Sequence, residues 1–122
     1  MVTSVSSLGR SGVFDWLVQR VSAVVLLAWF VFVGIYLATH SSLTFEQWTN
    51  LFNLTGMRIF TLGAILALCA HAWVGMWTIS TDYLTPAMLG KAATSVRLLF
   101  QLATLAVLLV YLIWCTQILW RI

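Results

Sequence analysis

Val21–Ala38 reads VSAVVLLAWFVFVGIYLA, a run of 18 residues without one formal charge. About 18 uninterrupted apolar residues suffice for an α-helix to cross the hydrocarbon of a bilayer. In hydrocarbon every backbone N–H and C=O must find a partner within the protein, so a lone run of this kind has to be helical. Two further apolar stretches follow, from about Met57 to Thr81 and from about Thr94 to Leu119. With its more polar lead-in, the first span reaches back to Asp15. The sequence therefore predicts an all-α membrane protein: one membrane-anchor domain, 1–122, with transmembrane helices at 15–38, 57–81 and 94–119.

Composition agrees with that reading. Hydrophobic residues make up 62% of the chain and charged residues 7%, where a soluble domain carries roughly a quarter charged. Three spans leave little chain for a water-soluble part, so a non-catalytic subunit of a larger complex is expected. The net charge of +3 comes from six basic residues scattered singly at span ends. That placement suits topology and contact with membrane lipid rather than a phosphate-tracking patch, and it argues against nucleic acid. Cys69 and Cys115 lie inside spans without C-x-x-C spacing and read as inert thiols. Met1 to Val13 is polar and lacks the features of a cleavable signal peptide, so the first span reads as a retained signal anchor.

The connection from His40 to Gly56 is polar, yet Leu43, Phe45, Trp48, Leu51 and Phe52 recur at helix-like spacing. With Thr44 as N-cap, this predicts a short amphipathic helix at 44–52 on the membrane surface. In the second connection, Leu84-Thr85-Pro86 marks a helix boundary, because proline disfavours helix at the residue before it. Tyr111, Trp114 and Trp120 suit an interfacial aromatic belt. Arg10, Arg20, Lys91 and Arg97 fall on one side of the spans, Arg58 and Arg121 on the other. Four basic residues against two predict a cytoplasmic N-terminus and a C-terminus outside.

The segment richest in chemistry is HAWVGMWTISTDY, His71–Tyr83. His71 stands deep in the second span, where an ionisable side chain is costly and marks a candidate functional site. At 100° per residue, Gly75, Thr78 and Asp82 all fall within about 40° of His71. Ala64 and Ala67 continue the same stripe, and small residues let a partner helix or a flat macrocycle approach the backbone. Two readings of His71 stand at this point. A neutral imidazole can bridge to a neighbouring helix's carbonyl or hydroxyl, or its nitrogen can be an axial ligand of haem iron. His40 lies at the edge of the first span and reads as a solvated boundary residue, so a second histidine ligand would come from another chain.

Asp82 and Tyr83 lie about 17–18 Å beyond His71 along the helix axis, at the cytoplasmic boundary. Separately they read as a solvated helix end and an interfacial anchor. Together, a phenol can donate to a quinone carbonyl while the carboxylate orients it or supplies protons. Arg20 reads either as a snorkelling arginine or as a partner for a haem propionate, which its planar fork suits.

The segment H-A-W-V-G-M-W…D-Y (His71 to Met76-Trp77, then Asp82-Tyr83) resembles the small hydrophobic anchor subunit of bacterial succinate:quinone oxidoreductase, respiratory complex II. The opening S-x-L-G-R-x-G-V-x-D-W, closing at Asp15-Trp16, with Arg20 four residues on, is similar to that family's N-terminal stretch. The resemblance implies a second hydrophobic anchor subunit, an iron–sulfur subunit and a flavoprotein subunit as partners in the bacterial inner membrane. It implies one haem b held jointly by the two anchors, with electrons from succinate passing to ubiquinone. Carried over, His71 would be the axial ligand, Tyr83 and Asp82 the quinone-binding pair, and Arg20 and Gly75 parts of the haem propionate side and pocket. Some members have histidine where this chain has Phe14, and any role of that histidine is absent here.

Three alternatives stay open on sequence. One is the anchor of a fumarate reductase, which shares the architecture. Another is a haem-free structural or assembly subunit. A third is a small transporter or proton-channel subunit, disfavoured because the chain lacks paired broken helices and further buried carboxylates.

Overall fold

The computed structural model describes residues 12–121. Arg10 and the start of the N-terminal motif lie outside them. Among the described residues there are helices, turns and short irregular connections, and no strand. Helix α1 runs Gly12–Thr39, α2 Phe45–Asn53, α3 Thr55–Tyr83, α4 Pro86–Leu89, and α5 Ala93–Arg121 after a 3-10 turn at Gly90–Ala92. Three helices, α1, α3 and α5, are long and apolar enough to cross a membrane. They exceed the expected 15–38, 57–81 and 94–119 by one to three residues at each end. Those extra residues sit where a helix meets the polar boundary and composition no longer marks its end.

Antiparallel order follows from the short connections. Helix α3 is central, with α1 and α5 packed against it. Along the α1–α3 contact, residue numbers fall on one helix as they rise on the other: Trp29 pairs with Thr61, and Ser22 with His71. The start of α1, the end of α3 and the start of α5 therefore share one end of the bundle.

The opposite end is closed by α2. Thr44 is its N-cap: the Thr44 hydroxyl accepts from Gln47 N–H, and the Gln47 side chain accepts from Thr44 N–H. This reciprocal capping box satisfies donors that a helix start leaves free. At the other terminus, Arg58 Nε donates to Phe52 O at 3.1 Å, closing an otherwise unpaired carbonyl. Helix α2 turns Phe52 onto Val33, Met57 and Leu119, with Trp29, Trp48 and Phe60 packed around them.

Elsewhere the helices cover little of one another. In α5 only Ala93 and Leu119 are buried, and in α1 only Ser22 and Val33. Tyr111, Trp114 and Trp120 are all exposed. In the second connection the sequence reading stops at a turn, but Pro86 stands at the first position of α4. Its missing N–H costs nothing there, so the same proline ends one helix and starts another. Gly90 follows with φ +63 and ψ −133, a backbone that side chains resist and glycine accepts.

Candidate functional site

His71 sits on α3 facing α1, its ring half-buried. Its Nδ1 lies 3.1 Å from the hydroxyl of Ser22, which is itself buried in the α1–α3 contact. That hydroxyl also donates to Gln19 O, one turn back on α1, at 3.1 Å. A serine hydroxyl has one proton. With that proton on the Gln19 carbonyl, the Ser22–His71 contact requires His71 Nδ1–H to donate to Ser22 Oγ. In a neutral ring, that leaves the free lone pair on Nε2.

This arrangement suits an axial haem ligand. Metal-binding histidines characteristically donate their second ring N–H to a fixed acceptor, which holds the tautomer and the ring plane. A haem brings four nitrogen donors of its own, and an imidazole nitrogen is a common protein ligand to its iron. The residues present fit that role from one side. The bridging reading is also realised, but only at Nδ1, and ligation would use the other nitrogen.

The stripe containing His71 passes from inside to outside along α3. Ala64 and Ala67 are buried, His71 and Gly75 are half-buried, and Thr78 and Asp82 are exposed. The buried alanines therefore make room for this chain's own helices, and only the part from His71 onward is open to a group from elsewhere. A Cβ added at Gly75 would meet Gln19 Nε2 at 3.7 Å, an ordinary contact. The amide of Gln19 thus lies beside Gly75, and its Oε1 is buried without a hydrogen-bond partner, as is Trp77 Nε1. Buried polar atoms of this kind are rare enough to need an explanation. Both lie in the same half of the bundle as His71.

The other expected residues lie apart from His71. Asp82 and Tyr83 end α3, both exposed, Tyr83 by 62%. A carboxylate in the last turn opposes the helix dipole, so helix stability does not account for Asp82. Arg20 is exposed, with its guanidinium 5.4 Å from the Trp16 ring. It stands about 160° around α1 from Ser22, away from the α3 contact. Phe14 lines an apolar cleft of about 360 Å³ with Val18, Trp73, Val74 and Leu105. His40 stacks on Tyr36 at 4.2 Å and its Nδ1 meets Tyr36 O at 2.9 Å, closing the end of α1 as a boundary residue does.

Sequence reasoning missed Ser22 and Gln19. The available signal was the isolation of Ser22, the one serine or threonine in the run Val21–Ala38.

These features define a polytopic membrane subunit: three spanning helices, a deep anchored histidine, and a polar pair at one boundary. The model of the succinate dehydrogenase/fumarate reductase transmembrane subunit family matches residues 3–115. The succinate dehydrogenase hydrophobic membrane anchor subunit of Coxiella burnetii (strain RSA 493 / Nine Mile phase I) is 37% identical over 111 residues, 91% of this chain and 90% of that protein. The chain belongs to the succinate dehydrogenase membrane anchor subunits, within that transmembrane-subunit family.

Proposed function

We propose that this chain binds haem b and forms part of the ubiquinone-reduction site of a succinate:quinone oxidoreductase in the bacterial inner membrane. It does so with a second hydrophobic anchor subunit, and the pair holds the iron–sulfur and flavoprotein subunits at the cytoplasmic face. The observation that carries this reading is the His71 ring, tied through Nδ1 to Ser22 with Nε2 left as a donor. A haem bound there would supply a one-electron store between the soluble redox centres and the quinone.

The chain's own residues divide the remaining work. His71 offers an imidazole nitrogen from within the bilayer that would hold the haem iron, and a second ligand would come from the partner anchor. Tyr83 donates its phenolic proton to a quinone carbonyl, with Asp82 beside it as proton source or orienting acceptor. Arg20, turned away from α3, is free to pair with a propionate on the side where the second anchor packs. Gly75 keeps the open part of the α3 stripe low. The basic residues Arg20, Lys91 and Arg97 gather at the end that carries Tyr83, so this end is cytoplasmic.

His71→Ala tests the reading directly. The purified complex is expected to lose the reduced b-haem absorbance, or to show it shifted. Tyr83→Phe is expected to impair quinone reduction while the haem spectrum stays. A haem-free anchor is the second reading, favoured by the Ser22–His71 bridge itself. Under it, His71→Gln leaves every absorbance band in place and lowers only the yield of complex. The anchor of a fumarate reductase shares these chain features and differs in the cofactor potentials of its other subunits.

A further inference from the structure

We propose that Ser22 is a positioning residue for the axial imidazole: it fixes the tautomer and ring plane of His71, and so sets the potential of the haem. This rests on the ligation reading above and adds a residue to it. The argument starts from two hydroxyls. Ser80 on α3 donates to Trp77 O at 2.7 Å and accepts from Gln101 Nε2 of α5 at 2.9 Å. An amide NH₂ can only donate, so Ser80 gives its proton to the carbonyl one turn back and receives one from the neighbouring helix. Ser22 has the same geometry on α1, with Gln19 O one turn back and His71 Nδ1 across the interface. Returning a hydroxyl proton to the preceding turn is common for serine inside helices. It leaves the oxygen lone pairs facing the adjacent helix. Ser22 thereby accepts from Nδ1–H, and the lone pair of the ring is confined to Nε2.

Burial strengthens the effect. Ser22 is 4% exposed, so water cannot readily replace it as acceptor. An acceptor at Nδ1–H also makes the opposite nitrogen a stronger donor. A stronger donor favours ferric over ferrous iron and lowers the midpoint potential. Removing the acceptor raises it.

The test uses the complete complex purified from membranes, with Ser22→Ala and Ser22→Thr compared with the parent. Measured are haem per complex, the midpoint potential by optical titration, and the low-spin ferric signal in electron paramagnetic resonance, which reports axial ring orientation. Ser22→Ala is expected to shift the potential upward, by about 59 mV if the ferric-to-ferrous affinity ratio changes tenfold. The low-spin signal is expected to move with it. Ser22→Thr keeps the hydroxyl and is expected to stay at the parent values. Loss of haem from Ser22→Ala alone also supports the proposal. A parental potential and signal in Ser22→Ala overturn it, and so does equal behaviour of the two variants, which would indicate packing. His71→Gln separates the two levels: if it keeps the haem, the ligation reading fails, whereas an unchanged Ser22→Ala beside a haem-free His71→Gln defeats only the positioning role.

Discussion

The two ends of the bundle are built differently. At the α2 end, apolar side chains from four helices meet: Val33, Phe52, Met57 and Leu119. The termini of α2 are closed by Thr44 with Gln47, and by Arg58. At the other end the links are polar and selective, Ser22 to His71 and Gln101 to Ser80. Gln19 Oε1 and Trp77 Nε1 there are buried with no partner. One end has satisfied its own requirements. The other keeps two buried polar atoms unpaired, and the proposed haem and quinone residues lie in this same half.

Substitutions can break that contrast. The largest effect on stability is expected from Phe52→Ala, which empties a side chain 5% exposed at the closed end. Large-to-small changes of this kind cost about 3–5 kcal/mol in a packed core. Thermal unfolding of the complex should fall while the haem absorbance per complex holds. If the haem signal falls first, the two ends are coupled and the contrast is wrong. Thr44→Ala comes next, costing about 1 kcal/mol through loss of the N-cap. Proteolysis around 45–53 should rise, with the optical spectrum unchanged.

Gly75→Ala gives the smallest change in stability and sharpens the comparison most. A methyl there meets Gln19 at ordinary distance, and alanine is the better helix former by about 1 kcal/mol. Stability should hold or rise slightly. A drop in haem content at unchanged stability would then report crowding by a flat group from outside the chain.

What the sequence made legible follows the same division. The spans could be read because hydrocarbon permits nothing but helix to such runs. Thr44 could be read as a cap because its hydroxyl precedes a periodic apolar pattern. The second connection was harder: Pro86 signals a stop, and only the chain's path shows that it also begins α4. At the polar end, His71 stood out as an ionisable group in an apolar setting, but its partner did not. Serine is common in membrane helices, and nothing along one helix says which residue of another stands opposite. Ser22 and Gln19 acquire meaning only through the antiparallel register that brings α1 and α3 together. Arg20 illustrates the converse, since closeness in sequence to that pair places it on the far side of α1.

Helix α5 is anchored to α3 by Gln101 near one end, and its Leu119 is buried near the other, with nearly all of its remaining flank bare. A rod fastened in this way cannot spin, but it offers a long blank wall to whatever stands beside it. In a bilayer such a wall can face lipid tails or another helix alike, because the tails are as apolar as its side chains.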